Sequence, residues 1–528
     1  VLGWGLLIAG ISLAGVMFGQ FFTGHRPAAF FANPNSASTL MNALWPTVAI
    51  AWLAGPGALL GTQRAHRVLP AVLFLLISAV GIDGSRAAFL AALVVLAVVL
   101  GGSGYALSAS RRQLIIIVGI FITALLAASL VNLLEFGTGR VLTDRVGSLG
   151  SPDQAGSVRF LQWAATWELI REAPWLGIGP DVFWLAYAGI RPAADGSAGL
   201  YSHNDYLQFW AERGLPGPLV LIGIGAVCVY LFVRSVRAAR QGQHELPATA
   251  MVIAAFAAIA GLGVHGLFSY QLQMPSILIP AVVLIAELER LAPVRSIAVM
   301  PLPNWRRPLS LAAGISVFAV IALSVGLTGA SQRTMDQGVA AMNRGELEAA
   351  ERAFQTAQRR WSWADMPWLN HAALYQRMLG VVPSEQTELR AELASEAMRL
   401  LDIAADRNPL RSRIPGIRGQ LRQDYPELTE GSARAAFEDA LALNPRNVSA
   451  RLAHAELVRE QQGDEAAREV LEAGVGLKYG RRVEGLPLYR ATAAARSSAG
   501  DSAGAEAMRE RMEAIRDDIR TLQEEAGS

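Results

Sequence analysis

Cysteine is almost absent: the 528 residues hold one, Cys228, inside an apolar run. A single thiol builds neither an internal disulfide framework nor a cysteine-based metal site. Charge is scarce as well. Charged residues make up 17% of the chain against 52% hydrophobic, and the mean hydropathy is +0.32, whereas soluble domains carry about 25% charge. That argues against an ordinary cytosolic enzyme. No basic block is large enough for nucleic acid. No P-loop points to nucleotide use, and no acidic triplet or histidine cluster points to a catalytic metal. Nucleic acid, metal and cofactor are all expected to be missing from the chemistry.

What charge there is lies unevenly. Residues 1–330 carry 19 Lys+Arg and 13 Asp+Glu, and residues 331–528 carry 27 and 31. The nets, +6 and −4, add to the overall +2. This divides the chain into a membrane domain, 1–330, and a water-soluble domain, 331–528. The expected fold class is all-α, a polytopic helical membrane domain followed by a soluble helical repeat. The chain opens on Val1 within a hydrophobic stretch, so an N-terminally incomplete domain is expected.

A span of about 20 apolar residues crosses a bilayer, and nine runs qualify: 1–22, 39–60, 68–84, 87–103, 113–134, 214–233, 248–268, 275–288 and 309–330. Arginines between them form four clusters: Arg64 and Arg67; Arg111 and Arg112; Arg234, Arg237 and Arg240; and Arg290, Arg295, Arg306 and Arg307. Nine spans place all four on one side, assigned to the cytoplasm. The loop 135–213 and everything after 330 then face the periplasm of a bacterial inner membrane. Loops of that length are usually functional. Trp163, Trp167 and Ile170 recur at helical spacing within it, which suits either a helix lying on the bilayer or ordinary core packing.

The soluble part reads as helix–turn–helix units. Turns fall at Arg344-Gly345-Glu346, Gln462-Gly463-Asp464 and Gly500-Asp501, with small residues such as Ala349, Ala350, Ala466 and Ala467 beside them. The pattern resembles tetratricopeptide repeats, whose stacks form concave binding surfaces for a protein partner. Residues 361–430 fit it poorly.

Ionisable groups at membrane depth are costly and mark functional positions by default. Arg86, in Asp83-Gly84-Ser85-Arg86, is either a snorkelling arginine or a ligand group. Arg159 precedes the Trp stripe and is either a solvated loop charge or a second ligand group. His203, in Tyr201-Ser202-His203-Asn204-Asp205-Tyr206, either helps cap the next helix or serves as a base. His265 reads as a packing residue near a span end. Arginine's planar fork suits phosphate and pyrophosphate oxygens, and histidine can take a proton from an attacking hydroxyl. Together they imply a membrane-borne phosphate leaving group and no ATP.

Five motifs resemble the O-antigen ligase/polymerase superfamily. They are Phe31-Ala32-Asn33-Pro34-Asn35-Ser36-Ala37, Ser85-Arg86 before an apolar helix, and Arg159-Phe160-Leu161-Gln162-Trp163. The others are Pro174-Trp175-Leu176-Gly177-Ile178-Gly179, and His203-Asn204-Asp205-Tyr206-Leu207-Gln208 with Glu212-Arg213-Gly214-Leu215-Pro216-Gly217. The resemblance implies a metal-independent glycosyltransferase that moves a glycan from undecaprenyl pyrophosphate to an acceptor hydroxyl at the periplasmic face. It implies pyrophosphate binding by Arg86 and Arg159, a general base in His203, and support from Asn204, Asp205 and Arg26. Ligation to lipid A-core, polymerisation onto a glycan, and protein O-oligosaccharyl transfer are the same chemistry with different acceptors. A non-enzymatic transporter or scaffold is the rival of another class. It would need internal repeats or buried acids for coupling ions, and neither is evident.

Overall fold

The computed structural model describes all residues except 1, 24–26, 32–33, 56–59, 61–63, 137–153, 294–305, 481 and 528. Every described regular element is helical. The chain forms two compact units: residues 1–183 with 201–298, and residues 184–200 with 299–528.

In the first unit the nine expected spans begin with α1 (Leu2–Phe22), α2 (Pro34–Leu53), α3 (Leu69–Asp83), α4 (Arg86–Ala106) and α5 (Arg111–Phe136). After α6 (Gln154–Glu172), α7 (Phe183–Ile190), which passes into the second unit, and α8 (Asp205–Arg213) come α9 (Pro216–Arg240), α10 (Leu246–Gly266) and α11 (Pro275–Leu291). The ninth span lies in α12 (Arg306–Arg344) of the second unit. Six of these nine helices are long and apolar enough to cross a membrane, and α2, α3 and α11 fall short. The chain is a multi-pass membrane protein.

Small residues set the register. A Cβ on Gly102 would lie 2.8 Å from Ile253, and one on Gly261 would lie 2.5 Å from Val95. Helices α4 and α10 are therefore antiparallel and closely packed, as small residues permit in membranes. That register brings Arg86, at the start of α4, level with the end of α10 near His265. At the other end Arg240 stacks over Tyr105, 4.5 Å from its ring centre. His244 contacts the Leu291 carbonyl at 2.8 Å, placing the Arg290 end of α11 there too. His66, beside Arg67, stacks on Trp52 near the end of α2. Arg67, Arg111 and Arg112, the Arg234–Arg240 cluster and Arg290 thus belong to one end of the bundle, opposite Arg86 and His265.

The second unit continues through α13 (Leu347–Arg360), α14 (Met366–Leu379), α15 (Thr387–Arg407), α16 (Arg413–Asp424) and α17 (Ala433–Leu443). It closes with α18 (Val448–Gln462), α19 (Asp464–Val475), α20 (Leu486–Ser498) and α21 (Ser502–Gly527). The three expected turns sit between helices, with Gly345, Gly463 and Gly500 at φ +83°, +91° and +81°. Such angles favour glycine. Residues 361–430, which match the repeat poorly in sequence, continue the same helical succession with helices of 12 to 21 residues. Residue 330, where the composition changes, falls inside α12, a single helix of 39 residues.

The second unit also takes in residues 184–200, which composition alone assigns to a membrane-domain loop. Arg446, a buried residue 8% exposed, explains why. It donates to the carbonyls of Arg191 (3.1 Å), Pro192 (2.6 Å) and Lys478 (2.7 Å). Lys478 N donates to Ala193 O at 2.9 Å. Gly480 packs so close that a Cβ would lie 2.6 Å from the Ser197 carbonyl.

Candidate functional site

Asp83-Gly84-Ser85-Arg86 is a tight helix-to-helix turn. Gly84 ends α3 at φ +63°, and the Ser85 side chain caps α4 by accepting from Ala88 N. The Ser38 hydroxyl donates to Asp83 at 2.7 Å, and the neighbouring Thr39 hydroxyl lies 2.8 Å from His265 Nδ1. Helix α2 thereby ties the Arg86 turn to the end of α10. Arg86, Arg159 and His203 are each half-buried.

Arg159 lies in α6. Trp163, one turn on from it, contacts Phe268 at 6.1 Å between ring centres. The packed face of α6 consists of Gln162, Ala165, Thr166, Leu169 and Ile170. Trp167 stays 42% exposed and meets Trp210 edge-on at 5.4 Å. The expected stripe is therefore split, with Ile170 inside and Trp167 at the margin.

His203 sits at φ +55°, one of four non-glycine positive-φ residues among those described. The Ser202 hydroxyl closes this turn, donating to Asn204 O at 2.8 Å while accepting from Asn204 N at 3.2 Å. Strained backbone of this kind costs of order 1–3 kcal/mol and clusters at functional positions. The capping role falls to Asn204, whose side chain accepts from Tyr206 N and Leu207 N, both at 3.1 Å. Asp205 is buried, and both its oxygens accept from Leu272 N. Burial raises its carboxyl to about 8, although the backbone N–H groups of Leu272 and Gln271 oppose the shift. The His203 ring stands edge-on to Tyr270 at 5.2 Å, and Tyr201 stacks on Tyr270 at 4.0 Å.

The segment from Gly263 to Gln273 is thus a hub. It meets α6, the helix that carries Arg159, through Phe268 and Trp163, His203 through Tyr270, Asp205 through Leu272, and the Arg86 turn through the Thr39–Ser38 pair. Arg26 lies outside the described residues. Sequence reasoning missed Ser38, Thr39, Tyr201 and Tyr270; hydroxyls inside an apolar helix were the available signal for the first two.

The remaining motifs hold the His203 loop in place. Ile178 N and Gly179 N donate to the carbonyls of Ala211 and Glu212 at 2.9 and 3.0 Å, and Leu215 N donates to Pro174 O at 2.8 Å. Gly214 has φ +61°, and a Cβ there would lie 2.2 Å from the Trp175 carbonyl. Glu212 accepts from Gln208 at 3.0 Å and from Arg213 at 2.8 Å. Below Asp205 and Gln271, an apolar cavity of about 280 Å³ opens between α9, α10 and α11.

All three candidates, and the motifs that clamp the loop, fall within one matched region. Residues 71–222 match the family model described as O-antigen ligase. This match supports a ligase- or polymerase-type role for residues 71–222, of the kind a glycosyltransferase-like enzyme performs. No curated protein matches the chain. Among solved structures, the crystal structure of MamA protein is similar at 15% identity, over 36% of this chain and 94% of that one, with a TM-score of 0.25.

Proposed function

We propose that the chain moves a glycan from undecaprenyl pyrophosphate to an acceptor hydroxyl at the periplasmic face of the bacterial inner membrane. The observation that carries this reading is the hub at residues 263–273, to which the helix of Arg159, the His203 ring and the Arg86 turn are all tied. His203 takes the acceptor's O–H proton as that oxygen attacks the anomeric carbon. The new glycosidic C–O bond forms as the bond from that carbon to the phosphate oxygen breaks. The electron pair leaves on undecaprenyl pyrophosphate, whose charge Arg86 and Arg159 stabilise without a metal. The apolar cavity beneath Asp205 suits the isoprenoid part of the donor, and the one-ended arginines agree with a periplasmic site. Asn204 and Asp205 act as positioning residues for the His203 loop.

Turnover of a lipid-linked glycan by the purified chain in EDTA tests the reading, with lipid A-core, glycan and protein acceptors offered in parallel. Transfer to any of them supports a transferase, and which one is used separates ligase, polymerase and protein glycosylation. Absence of turnover with all three would favour a transporter or scaffold.

A further inference from the structure

The second unit contains a polar cavity of about 260 Å³ that no step of the proposed transfer uses. Trp184, from the segment held by Arg446, forms part of its wall together with Arg411, Arg413, Asn444 and Glu484. The arginines there are not equivalent. Arg411 is paired with Asp365 and stacks over Trp184, 5.4 Å from the ring centre. Arg446 directs its donors at backbone carbonyls. Arg413 makes one side-chain hydrogen bond, to the Asn370 amide oxygen at 3.2 Å, and has no carboxylate partner among the described residues. Arg413 is exposed at the cavity wall, and partial desolvation of its guanidinium and the neighbouring Arg411 charge both lower its pKa. An anion between these two guanidinium groups would relieve that repulsion.

We propose that this cavity binds a saccharide bearing a carboxylate or phosphate, anchored by Arg413 with Trp184 as a flat apolar wall for the sugar ring. Guanidinium forks match the paired oxygens of both anions. The indole offers a broad apolar surface to the C–H face of a sugar. The volume, near the lower end of ligand pockets, admits a sugar unit rather than a long chain. Oxyanion recognition rests on the cavity alone, while the choice of a saccharide rests on the transferase reading. Glu484 is exposed at the cavity wall, and its negative charge weakens anion binding.

Calorimetric titration of the full chain in detergent tests this with trigalacturonate, maltotriose and inorganic phosphate. Trigalacturonate should bind at least about tenfold more tightly than maltotriose, and Arg413→Gln should weaken it by about tenfold. Glu484→Gln, a surface change with little risk to folding, should tighten it a few-fold. Equal affinity for charged and neutral sugars, no binding of trigalacturonate, or indifference to both substitutions would overturn the proposal. Phosphate binding as tightly as trigalacturonate would overturn the saccharide assignment. Turnover of lipid-linked glycan onto a small acceptor, measured on the same preparations, keeps the readings apart. Lost turnover with intact Arg413-dependent binding counts against the transferase reading alone.

Discussion

The Asp205 carboxylate accepts from the backbone N–H of Leu272 with both oxygens, each at 3.2 Å, although α9 and α10 separate the two residues in sequence. This contact fastens the start of α8, and with it the His203 turn, to the hub segment. It also makes the junction sensitive to pH. Burial raises the Asp205 carboxyl to about 8, so the folded chain keeps a proton that the unfolded chain releases above about pH 4. Between those values the native state binds more protons, and stability falls as pH rises. Asp205→Asn retains an acceptor for Leu272 and cannot ionise. Its thermal midpoint should therefore gain on that of the native chain as pH rises from about 5 to about 9. A midpoint difference that stays constant over that range would contradict this account.

His203 combines a strained backbone with the proposed base. Glycine adopts positive φ without penalty, so His203→Gly should leave the thermal midpoint unchanged or slightly higher. Transfer should nevertheless fall by roughly 10²–10⁴-fold. His203→Ala should lose activity equally without the gain in stability. If His203→Gly lowered stability and left turnover intact, the strain would serve folding and not chemistry.

Arg446 is expected to be the most sensitive residue of the second unit. Arg446→Ala strands the carbonyls of Arg191, Pro192 and Lys478, at a cost of about 3 kcal/mol or more. Arg446→Lys should recover part of that, because one ammonium cannot reach the same spread of acceptors. Hydrogen exchange at residues 184–200 should rise in both variants, more strongly in the first. Unchanged protection there would show that other contacts hold the segment.

Much of this was legible from pattern alone. Apolar runs located the helices, and glycine-centred turns located the repeat, because both signals are local. Arg86, Arg159 and His203 stood out because charge and imidazole are rare in apolar surroundings. Their common tie to residues 263–273 was not legible, since it depends on the α4–α10 register set by Gly102 and Gly261. Nor could composition reveal that residues 184–200 join the second unit. Their attachment runs through backbone carbonyls, which leave no trace in residue type, and through Arg446, which looks like any surface arginine of the tail.

That attachment changes what truncation should do. By charge density the tail looks separable, and a chain ending near residue 335 would be expected to keep some transfer to a small acceptor while using its natural one less well. The same cut removes Arg446, Lys478 and Gly480, the residues that hold 184–200, and this segment runs directly into Tyr201, Ser202 and His203. An unheld stretch of 17 residues entering the His203 turn adds conformational entropy where a general base needs fixed geometry. The truncated chain should therefore transfer more slowly even to a small acceptor, and limited proteolysis should nick it between Trp184 and Leu200. Arg446→Ala in the full chain should reproduce part of both effects while keeping the cavity residues Arg413 and Glu484. Full-rate transfer to a small acceptor by a stably inserted truncation, nicked or not, would show that the tail contributes nothing to the order of the catalytic loop.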